Sequence, residues 1–147
     1  MTRLALDCVI SRNTAQTYAA PTWNALELVK DATLNLSKAE TDVTTRGSGG
    51  WAQTRGTIKE AELSFEMAAD NTNADFTALR DAWLNGTQID LAVLDGAANA
   101  SGAQGLRALW EIIGFTRNEN LREAVTYSIT AKPGFNVTNP PVWMTVT

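Results

Sequence analysis

The stretch Ile58-Lys-Glu-Ala-Glu-Leu-Ser-Phe-Glu-Met-Ala68 alternates without a break. Ala61, Leu63, Phe65 and Met67 fall on one side, and Glu60, Glu62, Ser64 and Glu66 on the other. A period of two belongs to a strand, because successive Cβ atoms leave a pleated chain on opposite faces; a helix would scatter both sets around its axis. Three carboxylates on one strand face repel one another at close range, so that face is expected to be wet and its opposite to meet a core. The fold that follows is built on a sheet with one dry side.

The same signal extends in both directions. Upstream, Ala32, Leu34 and Leu36 alternate with Thr33, Asn35 and Ser37 after a break at Lys30-Asp31. Leu4, Leu6, Cys8 and Ile10 predict a half-buried strand near the start, with Cys8 a buried, inert thiol because no neighbouring cation lowers its pKa. Downstream, Thr72 or Asn73 caps a short helix in which Phe76, Leu79 and Trp83 form an i, i+3, i+7 stripe, and Asn85-Gly86 stops it. Gln88 to Asp95 reads as a strand, and Ala97 to Gln104 as a flexible loop. Residues 105–117 and 121–132 read as a hairpin turning at Asn118-Glu-Asn120. Apolar residues on both sides of 105–113 predict burial on two faces, with Trp110 in the core. Pro133 to Thr147 is too apolar for a solvent tail and too proline-rich for a central strand. Six to eight strands around one helix, in a single domain spanning 1–147 without internal repeats, make a mainly β chain.

Composition narrows the chemistry. With no histidine, there is no Ser-His-Asp triad, Cys-His pair or HExxH zinc site; with one cysteine, there is no internal disulfide framework and no multi-cysteine metal site. The formal charge of −4 argues against a protein that grips nucleic acid, because neutralising phosphates takes clustered Lys and Arg. No run of 18 apolar residues predicts a membrane span, and Asp7 interrupts a start that is too short for a lipoprotein leader. The sequons at Asn35, Asn85, Asn99 and Asn136 read as chance occurrences in a threonine-rich chain.

Three features invite a functional reading. Thr44-Thr-Arg-Gly-Ser-Gly-Gly-Trp51 has the glycines of a phosphate cradle but lacks the Lys-Ser/Thr of a P-loop, so a mobile connection is the plainer reading. Glu60, Glu62 and Glu66 have the residue type for metal binding or acid–base work, yet a solvated strand face accounts for them. Of five tryptophans, Trp83 and Trp110 fit core stripes, whereas Trp23, Trp51 and Trp143 lie beside irregular segments and suit interface anchors. The expectation is no catalytic residue, metal ligand or cofactor.

The order of elements carries a resemblance. Asp31-Ala-Thr-Leu-Asn-Leu-Ser-Lys-Ala-Glu-Thr-Asp42 is followed by Thr45-Arg-Gly-Ser-Gly-Gly-Trp51, and then by Ala61-Glu-Leu-Ser-Phe65. The helix Asp75-Phe-Thr-Ala-Leu-Arg-Asp-Ala-Trp83 precedes Ile89-Asp-Leu-Ala-Val-Leu-Asp-Gly96, Gly105-Leu-Arg-Ala and Tyr127-Ser-Ile-Thr-Ala-Lys-Pro133. From about residue 3 to 133 this succession resembles the tail tube (major tail) proteins of long-tailed bacteriophages; 133–147 falls outside the match, as a C-terminal extension.

That resemblance implies a β-sandwich or barrel with one flanking helix, the fold shared by contractile tails and type VI secretion tubes. It implies six-fold rings whose inner sheets join into one β-barrel around a channel, stacked into a tube for genome delivery. The partners implied are other copies of the chain and further tail proteins: tape measure, terminator, and distal tail or baseplate. DNA is met only in transit, without membrane insertion of the subunit, and the place is the virion tail, assembled in the host cytoplasm. Residues 38–57 would be the loop reaching the neighbouring ring, through Asp42, Arg46, Trp51 and Arg55. Thr33, Asn35, Glu60, Glu62, Glu111 and Thr126 are the candidate channel lining. The competing readings are another tube-fold tail component (a terminator, a hub or a contractile-tail tube) and a carbohydrate-binding β-sandwich that uses exposed tryptophans.

Overall fold

Eight strands and one helix build the described part of the chain, residues 2–147 of a computed structural model. In chain order they are β1 (Val9–Asn13), β2 (Trp23–Ala25), β3 (Val29–Asp42), β4 (Thr54–Ala68), α1 (Ala74–Asn85), β5 (Gln88–Leu94), β6 (Gln104–Asn118), β7 (Thr126–Pro133) and β8 (Val142–Thr145). All pair antiparallel in one sheet, ordered β2-β1-β5-β6-β7-β4-β3, with β8 added beside the start of β6.

Strand β6 is the hinge of this sheet. Its first half pairs with β5 and β8, and its second half with β7. A register shift between Ile112 and Gly114 marks the change, and such a bulge bends the strand that carries it. Two limbs result: β2-β1-β5-β6-β8 and β6-β7-β4-β3. Residues 26–28 tie them together, because the Leu26 amide donates to the Ile10 oxygen and the Leu28 oxygen accepts from the Ala68 amide, each at 2.9 Å. The sheet therefore curls over its apolar face.

Leu63, Phe65 and Met67 of β4 meet Ile129 and Ala131 of β7, Trp110 of β6 and Leu91 of β5 in that core. Helix α1 covers it with Phe76, Leu79 and Ala82. Asn73 starts the helix by accepting from the Asp75 and Phe76 amides at 3.0 and 3.1 Å. Gly86 ends it at φ 66°, a left-handed conformation that glycine adopts without a Cβ clash. The mainly β fold with one flanking helix is as the alternation predicts.

Several sequence expectations are corrected. Leu4 to Ile10 is not one strand: Ala5–Asp7 forms a 3-10 turn and β1 begins at Val9, opposite Leu94, where β5 ends. Residues before Val9 have no strand to lie against, so Cys8 is exposed rather than buried. Trp83 is not a core residue. It stands on the last turn of α1, stacks on Phe115 at a ring separation of 6.3 Å, and keeps 47% of its surface exposed. Of the stretch 38–57, β3 and β4 pair its two ends out to Asp42 and Thr54 and leave 43–53, with Thr44–Trp51, outside the ladder. The C-terminal residues agree with the reading that they are too proline-rich for a central strand: Val142–Thr145 form β8, an outer strand beside β6.

Candidate functional site

The face of the sheet opposite the core is where sequence reasoning located the site. Register brings its residues together. Thr33 lies opposite Ser64, Asn35 opposite Glu62, and Ser37 opposite Glu60. Ser64 faces Thr130 of β7 in turn, and Glu111 of β6 faces Lys132. The Lys132 ammonium lies 3.9 Å from the Glu62 carboxylate, so Glu62, Lys132 and Glu111 form a row across three strands. Thr33, Asn35, Glu60, Glu62 and Glu111 thus share one polar surface. Thr126 falls on the same side of the sheet but is covered. It opens β7 opposite Ala68 and Asn118, beside the 119–125 reversal, and is buried in the subunit.

Both borders of this surface end in unpaired backbone. Strand β3 has β4 on one side and, among the described residues, no strand on the other along all 14 residues. The second half of β6 is in the same condition, because β5 stops at Gln88 opposite Glu111 and leaves Gly114 to Asn118 paired with β7 alone. Unpaired N–H and C=O groups on an edge are a template for another strand.

A two-stranded arm extends from the same limb. Strand β4 is paired with β7 only from Leu63 to Ala68, so residues 54–62 have β3 as their sole ladder partner. From Asn35 to Glu60 every residue except Ser48 is exposed. At the tip, the Ser48 side chain accepts from the Thr45 amide at 3.0 Å while the Thr45 side chain caps the turn in return. Gly49 then reverses the chain at φ 67°. Asp42 accepts from the Thr44 amide at 2.8 Å, and hydrogen bonding from the Thr44 side chain and then its amide holds the Asp42 carboxyl below its ordinary value. Trp51 stands 77% exposed on this tip, with Arg46 and Arg55 also in solvent. Asp42, Arg46, Trp51 and Arg55 therefore share one end of the arm. A two-stranded hairpin with no covered face is marginal in water, so this geometry calls for a partner surface.

The sequence did not reveal a second polar cluster on the first limb. Arg107 donates through Nε and Nη2 to the Asp90 carboxylate at 3.2 and 2.7 Å, and through Nη2 to the Tyr18 oxygen at 2.8 Å. Its guanidinium lies 3.7 Å from the centre of the Tyr18 ring and 4.9 Å from that of Trp23. Asn13 completes the cluster with a 3.0 Å donation to Asp90. The group pins residues 14–22 over the sheet; only the β5–β6 register, a non-local fact, would have disclosed it. Among the described residues no group of three or more Asp, Glu, Cys or His side chains is placed to hold a metal ion, and no helix is long and apolar enough to cross a membrane.

The subunit therefore presents a polar sheet face between two open edges, and an exposed arm. The family described as phage tail tube protein matches residues 9–134, and the chain belongs to that family. Its function is that of a tail tube subunit, a structural component of the virion tail. No curated protein sequence matches it.

Solved structures agree on the fold. The tail of an empty GTA particle, refined with C6 symmetry, superposes at TM-score 0.73 with 13% identity, covering 99% of this chain and 100% of that one. The SPP1 tail tube gives TM-score 0.74 at 12% identity over 98% of this chain and 80% of that one. A chain of the anti-feeding prophage baseplate gives 0.65 at 6% identity, over 100% and 98%. At such identities the likeness establishes a common fold.

Proposed function

We propose that six copies of this subunit close into a ring and that rings stack into a tube through which the genome passes. In this reading the limb β6-β7-β4-β3 of each copy joins its neighbours edge to edge, giving a continuous barrel around a channel. The observation that carries the proposal is the pair of open edges, β3 and Gly114–Asn118 of β6, on opposite borders of one polar face. That face lines the channel with Thr33, Asn35, Glu60, Glu62 and Glu111. Its carboxylates suit transit, because a wall of Lys and Arg would hold each phosphate it met.

The arm bridges to the adjacent ring through Asp42, Arg46, Trp51 and Arg55, where burial of the Trp51 ring offsets the cost of ordering the tip. The role is structural rather than enzymatic. Its partners are copies of itself, together with tape-measure, terminator and distal tail or baseplate proteins, and assembly takes place in the host cytoplasm before the tail joins the virion. DNA passes without being bound specifically, and the subunit does not enter the membrane. The whole of 1–147 acts as one domain. Negative-stain images of the concentrated protein test the reading: six-fold rings or tubes are expected, and a strictly monomeric protein at every concentration would overturn it.

A further inference from the structure

On the helix side of the sheet, at the border where β6 lies open, α1 ends on two apolar side chains that are only partly covered. Trp83 is 47% exposed and Leu84 66%. Trp83 is fixed there rather than dangling, because its ring stacks at 26° on Phe115, which in turn packs against Phe76 and Tyr127 of the core. Phe115 sits within the stretch of β6 that is paired with β7 alone and open on its other edge. At the opposite border, β3 shows its own uncovered apolar side on the same face of the sheet. Ala32 and Leu36 are exposed and Leu34 is partly so, in line with Phe65, Ala61 and Leu63 across the ladder.

We infer that Trp83 and Leu84 form an anchor between neighbouring subunits of one ring, seated on the Ala32-Leu34-Leu36 side of the β3 strand of a second copy of this chain. The inference rests on the edge-to-edge joint proposed above and deepens it. Pairing β3 of one copy with the open part of β6 of another places the two apolar stripes on the same side of the extended sheet, with no polar row between them. The helix end then overhangs the joint. Backbone pairing alone gives little discrimination between wrong strands, whereas an aromatic seated over an apolar stripe fixes which strand is accepted and on which face. This use explains why the last turn of α1 exposes Trp83 and Leu84 while the earlier turns bury Phe76 and Leu79.

The test uses the full chain. The concentration at which assembly begins is measured by light scattering for the wild type, Trp83→Ala, Leu84→Lys and, as a control, Arg80→Ala, which changes an exposed polar residue on the same helix. Trp83→Ala and Leu84→Lys are expected to raise that concentration by about tenfold or more, with Arg80→Ala unchanged. Leu84→Lys keeps the test independent of folding, since Leu84 lies outside the core cluster and its variant should melt as the wild type does. Hydrogen exchange on wild-type assemblies separates the two levels of the argument. Protection of Gly114–Asn118 and of β3 on assembly, combined with wild-type assembly of both helix variants, would overturn the anchor and leave the joint standing. Absence of that protection in wild-type tubes would overturn the joint and the anchor with it.

Discussion

Arg107 and Asp90, from adjacent strands β6 and β5, form a doubly hydrogen-bonded ion pair on the side of the sheet away from the core, roofed by the rings of Tyr18 and Trp23. Both side chains are about nine-tenths buried. Removing one partner leaves the other charge buried without its counter-ion, a loss of about 3–5 kcal/mol. Arg107→Ala should lower the free energy of unfolding by that amount in a denaturant titration and free residues 14–22 to early proteolysis. Arg107→Met with Asp90→Asn should recover much of the stability, because no uncompensated charge remains.

Trp110 and Trp83 make a contrasting pair. Trp110 has no exposed surface and donates from Nε1 to the Leu91 oxygen at 3.0 Å, so Trp110→Ala should cost about 3–5 kcal/mol through cavity formation and a lost hydrogen bond. Trp83→Ala should cost less than half as much in the isolated subunit, since roughly half the ring already faces water. Equal melting losses for the two variants would contradict this placement of Trp83.

Gly105 has no room for a side chain. A Cβ there would stand 1.7 Å from the Val93 oxygen of the paired strand, which is backbone and cannot rotate away. Gly105→Ala should therefore separate β5 from β6 locally and destabilise by about 1–3 kcal/mol or more, as overpacking does. Circular dichroism melts read the effect directly.

The arm tip should loosen in acid. The Asp42 carboxyl is lowered in the fold by hydrogen bonds from Thr44, so its contribution is fully present above the ordinary aspartate value and is lost as pH falls through the folded one. Amide exchange at Thr44, corrected for intrinsic pH dependence, should quicken below the ordinary aspartate range. Asp42→Asn should remove most of that pH dependence.

Local periodicity made much of this fold legible. The alternation of 58–68 placed Leu63, Phe65 and Met67 inside and Glu60 outside, and Asn73 and Gly86 bounded α1. What escaped depended on partners distant in sequence. Cys8 lost its strand because β5 ends at Leu94; Trp83 left the core because it stacks on Phe115 where β6 has an open edge; Thr126 was buried at a ladder end. The Arg107–Asp90 pair spans 17 residues and Arg107 reaches Tyr18 across 89, distances that no pattern along the chain records. Strand pairing also drew both ends of a Gly- and Thr-rich stretch into a ladder, since β3 and β4 supply each other hydrogen bonds that composition alone does not foresee.

A helical reconstruction of the assembled protein by electron cryomicroscopy tests the central claim most directly. The account predicts six subunits per ring, β3 of each paired with Gly114–Asn118 of the next, and Glu60, Glu62 and Glu111 facing the channel. A tube in which β3 keeps a free edge, or in which those carboxylates lie on the outer wall, would contradict it.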